Sequence, residues 1–267
     1  MRGSVFTAHD CPDRIRRMAN PTFGLVHGAW HRGASWAPLL AELHRRGFAS
    51  VTVDLPCDVP HAGVDAYADQ VVRALSAVDG PLILVGHSLG GLTIPVVATR
   101  RPVALLIFLC ALLPDPGRSL VEQRTTTDAD MMTEQWRETY SPRQVALPDG
   151  RAEWPDEVAA EVFYHDCPPT EVPAAVHQLR PQASLPMRER TPLTAWPGVA
   201  AEYILCTDDR VVSPAWSRDV ARRRLGVTAR ELAGGHSPFL AQPLRLADLL
   251  VALADEHGLL ATASSPA

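Results

Sequence analysis

Short apolar runs alternate along this chain with segments whose apolar residues recur every three or four positions. The runs predict strands, and the longer segments predict amphipathic helices. In residues 33–46, for example, one helix face would carry Trp36, Leu39 and Leu43. Strands are predicted over residues 22–27, 50–53, 81–85, 103–110, 201–206 and 228–232, with further helices over 65–79, 91–97, 215–224 and 244–254. This order is typical of an α/β fold with a mostly parallel sheet covered on both faces.

The alternation stops over residues 114–197, where prolines are frequent and short helical pieces carry Glu, Met, Trp and Tyr. We interpret this part as a small, mainly helical cap inserted after the strand that ends near Cys110, within a core formed by residues 21–113 and 198–256. Residues 1–20 are expected to be a flexible extension and residues 257–267 a flexible tail. Translation from Met1 or from Met18 stays open.

The pentapeptide Gly86-His87-Ser88-Leu89-Gly90 lies between an apolar strand and a helix-like stretch. A serine on such a sharp turn is exposed in a strained conformation, and the flanking glycines let the backbone cross closely. The alternative is an ordinary glycine-rich turn. The strand-turn-helix context favours a nucleophile elbow with Ser88 as the nucleophile.

A serine nucleophile needs a base and an acid that orients the base. His236 lies in a glycine-containing loop between the last strand and the last helix, which is where such a base is expected. The acid should follow the strand that ends at Cys206, where Asp208 and Asp209 compete. We select Asp209 from the residues that follow it, and Asp115 is a more distant alternative.

The oxyanion formed on attack needs two donors that already point to it. One is the amide of Leu89, directly after the nucleophile, and the other is expected at Ala29, after the first strand. His27 and His31 flank this second position. We interpret both as structural residues that brace the loop by hydrogen bonds.

Composition narrows the class of protein. With 267 residues and a formal net charge of −5, the chain has no basic field for nucleic acid and no apolar run that would span a bilayer. The first twenty residues lack a signal-peptide core. The five cysteines are scattered, which suggests reduced thiols in a cytoplasmic protein. Four arginines over residues 218–224 are interpreted as a solvated helix face rather than a phosphate site.

With these motifs in place, the chain resembles the α/β-hydrolase superfamily, and within it the plant methylesterase and hydroxynitrile lyase group with its bacterial relatives. The resemblance covers residues 21–254. The matching segments are Leu25-Val26-His27-Gly28-Ala29-Trp30, Gly86-His87-Ser88-Leu89-Gly90-Gly91, Thr207-Asp208-Asp209, Gly235-His236, Phe163-Tyr164-His165-Asp166-Cys167 and Leu179-Arg180-Pro181-Gln182. It implies the triad Ser88, Asp209 and His236, an oxyanion hole from the Ala29 and Leu89 amides, no metal and no organic cofactor.

The lyase branch of that group differs from this chain at three matching positions. Its members typically carry threonine at the position of Gly28, glutamate at that of His87, and lysine at that of Ser237. A departing cyanide would lack a cationic partner here. The resemblance therefore favours hydrolysis over cyanohydrin cleavage.

The sequence predicts a cofactor-free hydrolase that cleaves a carboxylic ester of a small, apolar molecule through an acyl-enzyme. Its apolar pocket is expected from the cap and the loops, with Trp30, Trp136, Phe163 and Phe239 as candidate substrate-binding residues. Non-hydrolytic members of the fold, such as a small-molecule receptor, a hydroxynitrile lyase or a tailoring enzyme, are the alternative. Assembly as a monomer or a homodimer stays open.

Overall fold

A computed structural model describes residues 20–261 of the chain. Residues 1–19, most of the predicted extension, and residues 262–267 of the predicted tail lie outside the described residues, as does the alternative start at Met18.

The strands of the described chain are β1 (Thr22–Val26), β2 (Ser50–Val53), β3 (Leu82–His87), β4 (Leu105–Leu109), β5 (Val145–Ala146), β6 (Arg151–Glu153), β7 (Gln182–Ala183), β8 (Ala200–Cys206) and β9 (Arg230–Leu232). Six of them form one sheet in the order β2-β1-β3-β4-β8-β9. Every neighbouring pair in it is parallel. The predicted α/β fold is confirmed, and the carboxyl ends of the strands meet at one edge, where such folds bind ligands.

The helices of the same residues are α1 (Ala37–Arg45), α2 (Val64–Ala74), α3 (Ile94–Ala98), α4 (Leu120–Arg124), α5 (Asp156–Phe163), α6 (Val172–His177), α7 (Leu185–Arg188), α8 (Pro214–Val220), α9 (Pro238–Ala241) and α10 (Pro243–Glu256). Between residues 20 and 261, none of them is both long and apolar enough to cross a membrane.

The two faces of the sheet belong to two separate apolar layers. Side chains alternate along a strand, so Leu84 of β3 packs in one layer and Val85 in the other. The Val85 layer includes Leu39 of α1 and Leu250 of α10. The opposite layer includes residues of α2, α3 and α8. Burial on both faces explains why β3 and β4 read as continuous apolar runs.

The segment between β4 and β8 carries helices α4 to α7, and it also forms a second, antiparallel sheet in the order β5-β6-β7. The prediction of a mainly helical cap did not include this sheet. Strands of two or three residues are too short to show an alternating pattern, and β7 joins the sheet from a distant part of the chain, where Gln182 pairs with Ala152.

The arginine cluster of residues 218–224, which begins in α8, is not simply a solvated helix face. Arg224 is 7 % exposed and pairs with the fully buried carboxylate of Asp128. Arg223 also reaches Asp128, at 2.9 Å, and the indole of Trp216 donates to the same carboxylate at 2.9 Å. The interpretation is therefore wrong for Arg224, because its partner comes from the segment between β4 and β8 and leaves no local signal in the sequence.

Candidate active site

Ser88 directly follows β3 and begins a 3-10 turn, Ser88–Leu92. Its φ of +51° lies in the left-handed region that residues with a side chain rarely adopt. A Cβ on Gly90 would lie 2.7 Å from the carbonyl oxygens of Val26 and His27, so only glycine fits there. The strained serine and the close backbone crossing are the local geometry of a nucleophile elbow.

His236 and Asp209 meet at the carboxyl edge of the sheet. The β8 loop (residues 207–213) carries the acid, and the β9 loop (residues 233–237) carries the histidine. His236 Nδ1 lies 2.8 Å from Asp209 Oδ2, and both side chains are buried. The other carboxylate oxygen of Asp209 accepts from the amides of Val211 at 2.7 Å and Val212 at 3.0 Å. These two amides hold the carboxylate in place, and the carboxylate in turn orients the imidazole ring.

The two competing acids are occupied elsewhere. Asp208 is exposed, and its carboxylate accepts from the amide of Gly234 at 3.2 Å, so it braces the β9 loop. Asp115 lies 3.5 Å from Arg118 and 3.9 Å from Arg224. Of the three candidates, Asp209 is the one hydrogen-bonded to His236.

His87, the residue before Ser88, ties the elbow to the β9 loop. Its Nε2–H donates to the main-chain oxygen of His236 at 2.8 Å, and the two rings are 4.6 Å apart. Burial holds the pKa of His87 well below its ordinary value, so the ring is neutral. Sequence reasoning noted His87 only as a difference from the lyases and did not predict this contact.

The β1 loop (residues 27–31) is held by its own histidines. His27 Nδ1–H donates to the oxygen of Gly28 at 2.8 Å, while its Nε2 accepts from the amide of Leu55 at 2.9 Å. Burial lowers the pKa of His27 to about 4, which keeps this neutral tautomer. The Gly28 oxygen and the Ala29 N–H belong to one trans peptide and point in opposite directions. His27 therefore fixes the direction of the Ala29 amide.

The next peptide of the loop is held in the same way. His31 Nδ1–H donates to the Ala29 oxygen at 2.8 Å, and its Nε2 accepts from the Tyr164 hydroxyl at 3.0 Å. Burial lowers the pKa of His31 to about 3. The Trp30 amide donates to Gln182 Oε1 at 3.3 Å. These bonds agree with the expected bracing role of both histidines.

Three of the four candidate substrate-binding residues lie together. Trp30, Trp136 and Phe163 pack with Trp154 in one aromatic cluster, with ring centroids 5.3 to 6.4 Å apart. Phe163 brings this cluster to within 6.2 Å of the His236 ring. Phe239 is not part of this cluster. It belongs to the apolar layer of Val85, and its ring lies 4.8 Å from that of Trp36 and 5.0 Å from that of His87.

The segment between β4 and β8 also holds the β8 loop by main-chain bonds. Ser213 N donates to Met131 O at 2.9 Å, and Thr133 N donates to Val211 O at 3.0 Å. In the same segment, Arg180 N donates to Trp30 O of the β1 loop at 2.7 Å. Sequence reasoning treated this region as a source of pocket residues and missed these supports, since they join residues far apart in the chain.

The buried thiol of Cys110 lies next to the Asp209–His236 pair. One ligand atom each from Cys110, Asp209 and His236 lie within 4.8 Å of one another. Burial raises the pKa of the Cys110 thiol well above its ordinary value. A metal would need the thiolate form of Cys110, which this burial disfavours. The donor set therefore suits the hydrogen-bonded pair better than an ion.

With this geometry in view, comparison with known proteins decides the family. A family model described as "Alpha/beta hydrolase family" matches residues 25–249. The chain belongs to the alpha/beta hydrolase family. It is 31 % identical over 263 residues to a pyrethroid hydrolase of Sphingobium wenxiniae, an alignment that covers 91 % of each chain.

Two other relatives support the same grouping. A probable esterase of rice, Oryza sativa, is 27 % identical, over 88 % of this chain and 95 % of the relative. The crystal structure of a pyrethroid hydrolase superposes with a TM-score of 0.73 at 26 % identity, covering 89 % of this chain and 98 % of that one. The predicted resemblance to the plant esterase group and its bacterial relatives is confirmed.

Proposed function

We propose that this chain is a serine hydrolase that cleaves the carboxylic ester of a small, apolar molecule through an acyl-enzyme, with Ser88 as nucleophile, His236 as base and Asp209 as acid. The observation that carries the proposal is the 2.8 Å hydrogen bond between His236 Nδ1 and Asp209 Oδ2. The serine is held at a φ of +51°, and its neighbour His87 bonds the main chain of His236 at 2.8 Å. The relatives named as hydrolases and esterases support it.

The reaction follows from the orientation of the ring. The Asp209 carboxylate accepts a hydrogen bond from Nδ1–H of His236. The Nε2 lone pair of the ring is therefore free to take the proton of Ser88. Ser88 Oγ then attacks the ester carbonyl and forms a tetrahedral intermediate. Collapse breaks the carbon–oxygen bond to the alcohol, which leaves with the proton from His236. Water, deprotonated by the same ring, hydrolyses the acyl-enzyme and restores Ser88.

The oxyanion would be held by the amides of Leu89 and Ala29. Leu89 is the first residue after the nucleophile, inside the turn that opens at Ser88. Ala29 lies on the loop whose peptides are fixed by His27 and His31. A Cβ on Gly28 would lie 2.7 Å from Ser88 Cβ, so this loop approaches the nucleophile through the glycine. Donors fixed in advance stabilise developing charge without reorganisation.

The apolar part of the substrate would contact the Phe163 end of the aromatic cluster, because that ring is the cluster member near His236. The relative from Sphingobium is named for pyrethroids, and we propose that bulky apolar esters of this type belong on the substrate panel.

The thiols of Cys57, Cys110, Cys167 and Cys206 are free and buried. They support a reducing compartment, and we propose the cytoplasm.

A panel of methyl esters, aryl esters, lactones, thioesters and a pyrethroid tests the proposal, with Ser88→Ala as the matched control. We expect saturable turnover of at least one ester class, lost in the variant. Tight binding of panel members without turnover of any of them would favour a receptor and overturn the proposal.

A further inference from the structure

The β9 loop is held by a carboxylate that comes from the segment between β4 and β8. Asp166 follows α5 and lies 69 residues before Gly235 in the sequence. Its Oδ2 accepts the amide proton of Gly235 at 2.6 Å. Gly235 is buried and directly precedes His236, whereas Asp166 itself is exposed.

The two glycines of the loop leave room for this carboxylate. A Cβ on Gly235 would lie 2.7 Å from Asp166 Oδ1, and a Cβ on Gly234 would lie 2.7 Å from Asp166 Oδ2. Gly234 also has a φ of +115°, which a side chain would strain. The loop therefore accommodates the aspartate as well as turning the chain.

Three side chains from different parts of the chain bond the main chain of residues 234–236. Asp208 accepts from Gly234 N at 3.2 Å on the core side, and Asp166 accepts from Gly235 N at 2.6 Å. His87 donates to the oxygen of His236 itself at 2.8 Å. A charged acceptor on a main-chain amide makes a stronger bond than a neutral one. Of the two bonds on the amino side of His236, the one from Asp166 is the nearer, because Gly235 directly precedes the histidine.

We propose that Asp166 is a positioning residue for the catalytic base: through Gly235 it holds His236 in the orientation that joins Asp209 to Ser88. This inference rests on the proposed hydrolase function. Small displacements of a catalytic group lower the rate of the chemical step by large factors. The loss of Asp166 should therefore lower kcat and leave KM for the ester nearly unchanged.

The test compares Asp166→Ala with Asp166→Asn, whose side-chain oxygen can still accept from Gly235 N. Glu157→Ala is the matched control, since it removes an exposed carboxylate of the same segment whose ion-pair partner is Arg143 at 4.0 Å. The measurements are kcat and KM for the best ester of the panel, the rate at which a fluorophosphonate labels Ser88, and Tm. Asp166→Ser replaces the alanine variant should that one fail to fold. The serine side chain is one atom shorter than that of aspartate, so its hydroxyl does not reach Gly235 N.

We expect Asp166→Ala to lower kcat and the labelling rate together, by about ten-fold, with KM changed less than about two-fold. Asp166→Asn and Glu157→Ala should stay within about two-fold of the unchanged protein. Unaltered kcat and labelling in Asp166→Ala, a rise in KM alone, or an equal loss in Asp166→Asn would overturn the inference. An unchanged protein that neither hydrolyses esters nor reacts with the probe would overturn the proposed function itself.

Discussion

Replacing Asp209 by asparagine exchanges one carboxylate oxygen for an NH₂ group and removes the negative charge, with little change in the shape of the side chain. The Oδ1 of Asp209 accepts from the amides of Val211 and Val212, at 2.7 and 3.0 Å. In the variant, the side-chain oxygen must stay on these two amides, because a side-chain NH₂ group cannot accept from them. The NH₂ group then faces His236 Nδ1, where the carboxylate lay at 2.8 Å.

That arrangement selects the wrong tautomer of the histidine. An NH₂ donor facing Nδ1 requires Nδ1 to be the acceptor, so the proton moves to Nε2, and Nε2 no longer accepts from Ser88. Substitution of this kind in a serine-histidine-aspartate triad lowers kcat by about 10⁴-fold. This corresponds to about 5.5 kcal/mol of lost transition-state stabilisation. We expect a loss of that order, with KM and Tm nearly unchanged.

The neighbouring aspartate is the matched control. Asp208→Asn keeps an oxygen that can accept from Gly234 N, and its side chain is exposed. We expect it to retain at least about a fifth of the turnover, since an exposed hydrogen bond contributes only about 1 kcal/mol. Steady-state kinetics of both variants on the same ester decide the matter. A larger loss in Asp208→Asn than in Asp209→Asn would refute the reasoning.

Buried histidines, a buried ion pair and a missing lysine give three more expectations. Burial lowers the pKa of His31 to about 3 and that of His27 to about 4, so below about pH 6.5 these histidines take up protons in the unfolded chain before they do in the folded one. Stability should be full above that pH, and on reaching pH 5 each of the two should lower it by about 2 kcal/mol. Melts that are flat over this range would contradict it. Asp128→Ala removes the buried carboxylate that pairs with Arg224 and should cost about 3 kcal/mol in urea unfolding; a result equal to that of the exposed Asp130→Ala would count against this. Mandelonitrile should release no cyanide above the spontaneous rate, because Ser237 stands where lyases carry lysine; release that is lost in Ser88→Ala would reverse the assignment.

The core and the elbow could be predicted because their signals are local. β3 and β4 are apolar throughout since both faces of the sheet are covered. The glycines around Ser88 mark a close backbone crossing that the structure contains at Gly90. The choice of Asp209 over Asp208 also came from neighbouring residues, namely the pair whose amides now bind its carboxylate.

The remainder depends on contacts between distant residues. Asp128 and Arg224 are 96 positions apart, and neither residue alone indicates a buried ion pair. Phe239 was grouped with Trp30 because both are aromatic and near site motifs, yet it packs on Trp36. Its direction is set by the helix that starts at Pro238, which periodicity does not give. Such pairings become visible only when the chain is folded.

Labelling with a fluorophosphonate followed by peptide mass spectrometry tests the central claim most directly. An activated serine attacks phosphorus, displaces fluoride and keeps the phosphonyl group, so the modified residue can be identified by its mass. The account predicts one adduct per chain, on the peptide that contains Ser88, formed much more slowly in Asp209→Asn and absent in Ser88→Ala. Labelling at another residue, or none in the folded protein, would contradict it.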